Sequence, residues 1–148
     1  MNMFSNMQIE DIMTASPVTV RDNTTIGQAW EVLRTLDIRH LPVVNGEGEL
    51  VGIVSDRDFA SPPAPPLMTE LLGRPSESLD APVSTIMTAE PISVDCADEV
   101  EDAIDLMVEN KVGAVPVVGL DGEVVGIVSY LDILRAMREG PGIAEVSP

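Results

Sequence analysis

The chain contains the same segment twice, with the copies 74 positions apart and aligned without a gap. The matching blocks are Ile12-Met13-Thr14-Ala15 with Ile86-Met87-Thr88-Ala89, Pro42-Val43-Val44 with Pro116-Val117-Val118, and Val51-Gly52-Ile53-Val54-Ser55 with Val125-Gly126-Ile127-Val128-Ser129. An internal repeat constrains the architecture first, because each copy is expected to form the same unit. A unit of about fifty residues buries little core by itself. We therefore expect the copies to pack on each other about a pseudo-two-fold axis, with a ligand-sized cleft between them.

The net charge of the chain excludes several classes of partner. It is -17, from 25 Asp and Glu against 8 Lys and Arg. Such a chain repels phosphate backbones and anionic lipid surfaces. Aromatic residues make up only 3% of the sequence, too few to stack single-stranded bases. We expect neither nucleic acid nor membrane as a partner.

The sequence predicts a cytoplasmic location. Cys96 is the single cysteine, so no intramolecular disulfide can form, as is usual in a reducing compartment. The first eight residues lack the basic and apolar regions of a secretory signal. No apolar run approaches the roughly 20 residues of a membrane-spanning helix.

Each copy predicts the order strand, helix, strand, strand, helix. The first strands are expected at residues 18–20 and 92–94, where β-branched residues follow a proline. Residues 22–25 supply the N-cap of the first helix, and Asp95 or Asp98 that of its counterpart. Two apolar runs around a glycine-rich turn then predict a hairpin in each copy. The helical stripes with spacing i, i+3, i+4, i+7 are Ile26, Ala29, Trp30 and Leu33, repeated as Val100, Ala103, Ile104 and Met107.

The predicted boundaries follow the repeat. Copy 1 covers residues 8–62 and copy 2 covers residues 83–139. Six prolines lie in or beside a linker, residues 63–82, for which we predict an extended stretch and a short helix at residues 67–73. Residues 140–148 are expected to form a mobile tail.

The segment Gly52-Ile53-Val54-Ser55-Asp56-Arg57-Asp58, together with the repeated Ile-Met-Thr and Pro-Val-Val blocks, resembles a tandem CBS-domain pair, the Bateman module. The resemblance implies an α+β fold, a β-α-β-β-α unit repeated twice with pseudo-two-fold symmetry. It implies a regulatory module, not an enzyme, that binds an adenosine-containing ligand in the cleft between the repeats. AMP, ADP, ATP (with Mg²⁺) and S-adenosylmethionine are the ligands it implies, none of them a required cofactor.

The same resemblance suggests how such a module acts. We expect a homodimer formed through its helices, and a conformational shift that signals to a separate regulated protein, because no enzyme or channel is attached to the repeats. A nucleotide-independent dimerisation or protein-interaction module is the alternative.

The motif also suggests which residues bind the ligand. One carboxylate can accept both hydroxyls of a ribose, and Asp58 and Asp132 match the family's ribose-binding aspartate. Ser55 and Ser129 match its phosphate-binding hydroxyl, at a predicted helix N-terminus that favours anions. Ser-x-x-Asp at a helix start is also a capping box variant with a purely local role, and that reading stays open.

The two sites are expected to differ. Copy 1 adds Arg57 inside the motif, with Arg39 and His40 just before the second predicted strand, all suited to phosphate. Copy 2 has Leu131, Gly113 and Ala114 at these positions. We therefore predict phosphate binding in copy 1, and adenosine, a weakly charged ligand or nothing in copy 2.

The resemblance places an adenine pocket near apolar residues of both copies, although by themselves these are ordinary core positions, and core is the safer interpretation for most of them. They are Val18, Leu41, Pro42 and Ile53, with Ile92, Val115, Pro116 and Ile127. His40 is the only histidine, and no Ser-His-Asp or Cys-His set can be built without it. No catalytic residue and no metal site is predicted.

Overall fold

A computed structural model describes residues 4–60 and 77–139. The helix predicted at residues 67–73 and the tail predicted at residues 140–148 lie outside the described residues. Within them the strands are β1 (Thr14–Ala15), β2 (Val20–Arg21), β3 (His40–Val44), β4 (Leu50–Ser55), β5 (Thr88–Ala89), β6 (Val94–Asp95), β7 (Ala114–Val118) and β8 (Val124–Ser129). The α-helices are α1 (Ile26–Leu36), α2 (Glu77–Asp80), α3 (Val100–Asn110) and α4 (Tyr130–Glu139), and short 3₁₀ helices lie at Ile9–Asp11, Asp56–Ala60 and Val83–Thr85.

The described chain divides into two compact units, each with a four-stranded sheet. The Asp58 unit comprises described residues 18–60 and 77–91, with strand order β2-β3-β4-β5. The Asp132 unit comprises described residues 4–17 and 92–139, with strand order β1-β8-β7-β6. In both sheets one pair is parallel and the other two are antiparallel. Mixed sheets with helices confirm the predicted α+β class.

Each unit completes its sheet with the opening segment of the other copy. β1 comes from the start of copy 1 yet pairs with β8, placing Thr14 opposite Ile127. β5 comes from the start of copy 2 yet pairs with β4, placing Thr88 opposite Ile53. The compact units therefore begin and end about ten residues inside the sequence repeats.

The hairpins at the centre of each sheet form as predicted. In the Asp58 unit the turn is held by the Asn45 side chain, whose Oδ1 accepts the N–H groups of Glu47 at 2.9 Å and Glu49 at 3.0 Å. Gly48 and Gly122 both have φ of 82°, a left-handed conformation that favours glycine. The equivalent turns explain why both copies keep a glycine there.

The first strands are shorter than predicted. Residues 18–20 and 92–94 were expected, but pairing begins only at Val20 and Val94. The Asp22 N–H donates to the Val44 carbonyl, so alternate residues of β3, including Pro42, face β2. Pro42 has no N–H to donate, and Pro116 occupies the same place in β7, so a longer parallel ladder would lack bonds.

The helices bury most of the predicted stripes, while Trp30 and Ile104 are partly buried. In α1, Ile26, Ala29 and Leu33 are buried, and the N-cap Thr25 accepts the N–H of Gln28 at 3.1 Å. In α3, Val100, Ala103 and Met107 are buried. The prediction of Asp95 or Asp98 as the N-cap of this helix is wrong, because the N-cap is Glu99. Asp98 instead accepts the Asp95 N–H at 2.9 Å and closes the turn after β6.

Candidate functional sites

In the Asp58 unit, the end of β4 and the start of β3 bring polar side chains together. The antiparallel register places His40 opposite Ser55. Asp58 follows on the 3₁₀ helix, and its Oδ2 accepts the Ser55 N–H at 2.7 Å and the Ser55 hydroxyl at 3.4 Å. No hydrogen bond to Oδ1 comes from the part of the chain that the structure describes. Within the described residues the carboxylate is therefore fixed through one of its two oxygens.

Three basic side chains lie in the same region. Arg39 Nη1 is 3.5 Å from Asp56 Oδ2, and both side chains are exposed, so this ion pair is weak. Arg57, next to Asp58 in sequence, is exposed as well. Burial lowers the pKa of His40 below its ordinary value of 6.5, the largest effect, and Arg39 and Arg57 lower it further, while Asp56 and Asp58 oppose them. At neutral pH His40 is therefore an uncharged imidazole, which can donate or accept one hydrogen bond per ring nitrogen.

The equivalent position of the Asp132 unit is more enclosed. Asp132 is 7% exposed, and it is the buried charged residue of the described chain. Its Oδ2 accepts the Ser129 N–H at 2.9 Å and the Ser129 hydroxyl at 3.1 Å. Its Oδ1 accepts the Thr14 hydroxyl at 3.3 Å and Arg135 Nη1 at 3.4 Å. Both oxygens are thus occupied by groups of the protein.

Sequence reasoning missed Thr14 and Arg135. Thr14 reaches Asp132 because β1 pairs with β8, a contact between residues 118 apart in sequence. Arg135 was recognisable, since it lies one helical turn after Asp132 on α4. The prediction for copy 2 considered only the counterpart of Arg57, which is Leu131, and did not include Arg135.

The serine and aspartate pairs also have the local role that the sequence left open. Ser129 Oγ accepts the Asp132 N–H at 3.3 Å, as an N-terminal cap of α4 does. In both units the aspartate accepts the N–H of the serine three residues earlier. Capping engages only Oδ2 of each carboxylate, so it is compatible with a ligand at Oδ1.

The residues predicted to form adenine pockets lie at different depths. Leu41 and Val115 belong to the cores and have no exposed surface, and Pro42 and Pro116 are fully buried too. Ile53, Ile92 and Ile127 are partly buried, while Val18 is 46% exposed. A ligand at these sheets would therefore meet the isoleucines and Val18 first, with the buried residues behind them.

Gly52 and Gly126 are covered by methionines. A Cβ on Gly52 would collide with the Met87 thioether, and one on Gly126 would collide with that of Met13. Each methionine belongs to the opening segment that pairs with that strand. The absent side chains thus make room for strand packing.

The described residues contain neither a cluster suited to a metal ion nor a membrane-spanning helix. Across residues 4–60 and 77–139, no group of three or more His, Cys, Asp or Glu is placed to hold a metal ion. No helix within these ranges is long and apolar enough to cross a membrane. Partial burial raises the pKa of the Cys96 thiol, as do Asp95 and Glu10, so it is protonated at neutral pH.

Comparison with known proteins assigns the chain to a family. It belongs to the CBS-domain family, whose CBS domain matches residues 9–61 and 83–139. A CBS domain-containing protein of Dictyostelium discoideum is 32% identical over 127 residues, which cover 85% of this chain and 88% of that protein. The predicted tandem CBS pair is thereby confirmed.

An enzyme relative matches over a small part of its length. Inosine-5'-monophosphate dehydrogenase of Methanocaldococcus jannaschii is 32% identical over 130 residues. These residues are 88% of this chain but 22% of the enzyme. The chain thus spans about a fifth of that relative.

Two solved CBS pairs with bound ligands share the fold. CBSX2 of Arabidopsis thaliana in complex with AMP has a TM-score of 0.75 at 30% identity, covering 89% of this chain and 96% of that one. The CBS domain pair of protein MJ0100, in complex with 5'-methylthioadenosine and S-adenosyl-L-methionine, has a TM-score of 0.71 at 29% identity, covering 87% and 98%. Both ligands of the second complex and AMP contain adenosine.

Proposed function

We propose that this CBS pair is a non-catalytic regulatory module that binds an adenosine-containing ligand of the AMP, ADP or ATP type. Binding shifts its conformation and thereby signals to a separate partner protein. The observation that carries the proposal is Asp58, which Ser55 fixes through Oδ2 and whose Oδ1 accepts no hydrogen bond from residues 4–60 and 77–139, so the neighbouring hydroxyls of a ribose could donate to it. The AMP complex of a CBS pair 30% identical to this chain supports the choice of ligand.

Basic and hydroxyl groups that could bind the phosphate of such a ligand lie close to Asp58. Ser55 pairs with His40 across the hairpin, and Arg39 and Arg57 are exposed close by. Phosphate would compete with Asp56 for Arg39, and this exchange is inexpensive because the exposed ion pair is weak. With ATP, Mg²⁺ would screen the additional phosphate charge.

Ser129 and Asp132 form the second candidate site, in the other unit. Because both oxygens of Asp132 already accept hydrogen bonds, ligand binding there must displace protein groups. We therefore propose that the Asp58 unit binds the ligand first. S-adenosylmethionine, as bound by the MJ0100 pair, is the second ligand to test.

The test is isothermal titration of the whole chain with AMP, then with ATP and Mg²⁺ and with S-adenosylmethionine. We expect AMP to bind and Asp58→Asn to weaken it at least about tenfold, since hydrogen bonds to charged groups contribute roughly 1.5–3 kcal/mol. Glu47→Gln is the matched control, because it removes one exposed carboxylate from the β3–β4 turn. Absence of binding by all three ligands would refute the proposal.

A nucleotide-independent interaction module is the second candidate, favoured by the outer face of α4. Tyr130, Leu131, Leu134 and Met137 are each 44–51% exposed on this one helix. Apolar side chains clustered in this way favour contact with another protein surface.

We also propose that the chain forms a homodimer, which light scattering tests. Leu134→Glu should convert the dimer to a monomer. A wild-type chain that is monomeric at micromolar concentration would refute the proposed dimer. A cytoplasmic location remains part of the proposal.

A further inference from the structure

Arg135 is the basic residue that contacts the Asp132 carboxylate. Its Nη1 lies 3.4 Å from Oδ1, and its side chain is 54% exposed although Asp132 is buried. Among the described residues no other cationic side chain contacts this carboxylate. Between residues 86 and 134, copy 2 has eleven acidic residues and only Lys111 as a basic one. Arg135 therefore supplies the positive charge that contacts the Asp132 carboxylate, whereas Arg138, further along α4, pairs with Glu139.

The two oxygens of Asp132 are held with different strength. Oδ2 accepts from Ser129 at 2.9 and 3.1 Å, whereas the contacts of Oδ1 with Thr14 and Arg135 are 3.3 and 3.4 Å. Hydrogen bonds between a guanidinium and a carboxylate are normally 2.7–2.9 Å long, so the Arg135 contact is loose. A ligand hydroxyl would therefore take Oδ1, and Arg135 would have to move.

We infer that Arg135 makes the Asp132 unit selective for anionic adenosine ligands over neutral ones. This inference rests on the proposed function and extends it to the second site. When a nucleoside with a phosphate binds, the half-exposed guanidinium can leave Oδ1 and pair with the phosphate, so one ion pair replaces another. A neutral nucleoside offers no such exchange, because the Arg135 pair is broken and nothing replaces it.

The inference differs from the expectation drawn from sequence, which assigned adenosine, a weakly charged ligand or nothing to copy 2. That expectation relied on the absence of a basic residue at the position of Arg57. Arg135 supplies the charge from the other side of the aspartate, three residues later on α4. Ser129 contacts the same carboxylate, so the hydroxyl and the guanidinium are close enough to meet one phosphate.

The test compares AMP with adenosine by isothermal titration in an Asp58→Asn background, where binding at the Asp58 unit is weakened and any effect of an Arg135 substitution reports the Asp132 unit. We expect AMP to bind about tenfold or more tightly than adenosine, the size of one charge-assisted hydrogen bond. Adding Arg135→Met should remove this preference, whereas Arg135→Lys should keep most of it. Arg138→Met is the control, since it removes the same charge from the same helix but its partner is Glu139.

The outcomes separate this inference from the proposed function. An AMP preference that survives Arg135→Met would overturn the inference, as would equal binding of AMP and adenosine before that change. Loss of all binding in Asp58→Asn would also overturn it, because the Asp132 unit then has no site, while the proposed function stands on Asp58. Only a wild-type chain that binds neither AMP nor the other ligands tested would overturn both. Arg135 is exposed, so thermal unfolding should confirm that its variants fold.

Discussion

Asp58 and Asp132 end the same seven-residue motif, but the protein surrounds them differently. Asp58 is half-buried, and among the described residues it accepts hydrogen bonds from Ser55 alone, through one oxygen. Asp132 is buried and accepts through both oxygens, from Ser129, Thr14 and Arg135. The extra donors lie outside the motif. A repeated motif therefore fixes where a carboxylate stands, and its neighbours decide whether that carboxylate is open to a ligand.

The two aspartates also lie in different types of helix. Asp132 lies in the first turn of an α-helix, Tyr130–Glu139, whereas Asp58 lies in a 3₁₀ helix, Asp56–Ala60. A 3₁₀ helix has three residues per turn instead of 3.6, so side chains after Ser55 leave in other directions than those after Ser129. Thr88, the counterpart of Thr14, has the same register against β4, yet no described hydrogen bond joins it to Asp58.

The largest effect on stability is expected from Asp132→Ala. It removes a buried charged acceptor and leaves the Ser129 N–H without its partner, which should cost about 3 kcal/mol of unfolding free energy. Asp58→Ala should cost about 1 kcal/mol, the usual value of a lost cap at a more exposed position. Urea denaturation of both variants measures the two values. Equal losses would mean that the extra contacts of Asp132 contribute nothing.

The next effect concerns the contact between the opening segment and α4. Thr14→Val keeps the shape of the side chain but removes the hydroxyl that donates to Asp132, so we expect a loss of about 1 kcal/mol. Thr88→Val, at the equivalent place in the Asp58 unit, should change the unfolding free energy by less than about 0.5 kcal/mol. Two variants of similar stability would show that the Thr14 hydrogen bond is not specific to its unit.

His40 should make stability depend on pH, and Ala114, its counterpart, cannot. Because burial lowers the pKa of His40 in the folded chain below 6.5, the unfolded chain binds the proton more readily. The stability that this residue contributes is therefore present above pH 6.5 and is lost as the pH falls through that value towards the folded pKa. Between pH 7.5 and pH 5.5, the unfolding free energy should decrease more for the wild type than for His40→Gln. Parallel decreases in the two proteins would contradict the prediction.

The smallest effect on stability is expected from Arg39→Ala. The ion pair of Arg39 with Asp56 is exposed on both sides, so its loss should cost at most about 0.5 kcal/mol. The same variant should weaken AMP binding, and more so at low salt, because exposed charges are screened at high ionic strength. Titration of the wild type and the variant with AMP at two salt concentrations measures this effect. Equal affinities of the two proteins at both salt concentrations would show that Arg39 does not contact the phosphate.

Much of the fold could be predicted because it is written in local patterns. The apolar spacing of Ile26, Ala29 and Leu33 predicted the buried face of α1, and the glycine-rich turns predicted both hairpins. The details that failed depend on competition between neighbouring groups. Asp98 has the chemistry of an N-cap, but it is engaged by the Asp95 N–H, so α3 begins one residue later, after Glu99.

The site residues divide in the same way. Ser55 with Asp58 and Ser129 with Asp132 could be grouped from sequence, because the members of each pair are three positions apart and a helix begins between them. Their roles towards a ligand stay predictions. The buried state of Leu41 and Val115 fits the core reading that the sequence kept open beside the adenine pocket.

By itself, the sequence determined that the chain is a CBS pair with two copies of one α+β unit, and that each copy presents a serine at the end of its second hairpin strand and an aspartate three positions later. Only the tertiary structure decided that each sheet takes its edge strand from the other copy, which brings Thr14 to Asp132 across 118 positions. The physical reason is that local periodicity reports which face of an element is buried. Which distant segment pairs with β8 is instead decided by the hydrogen bonds that the segment can make and by its packing, since β1 adds to the side of β8 and Met13 covers Gly126.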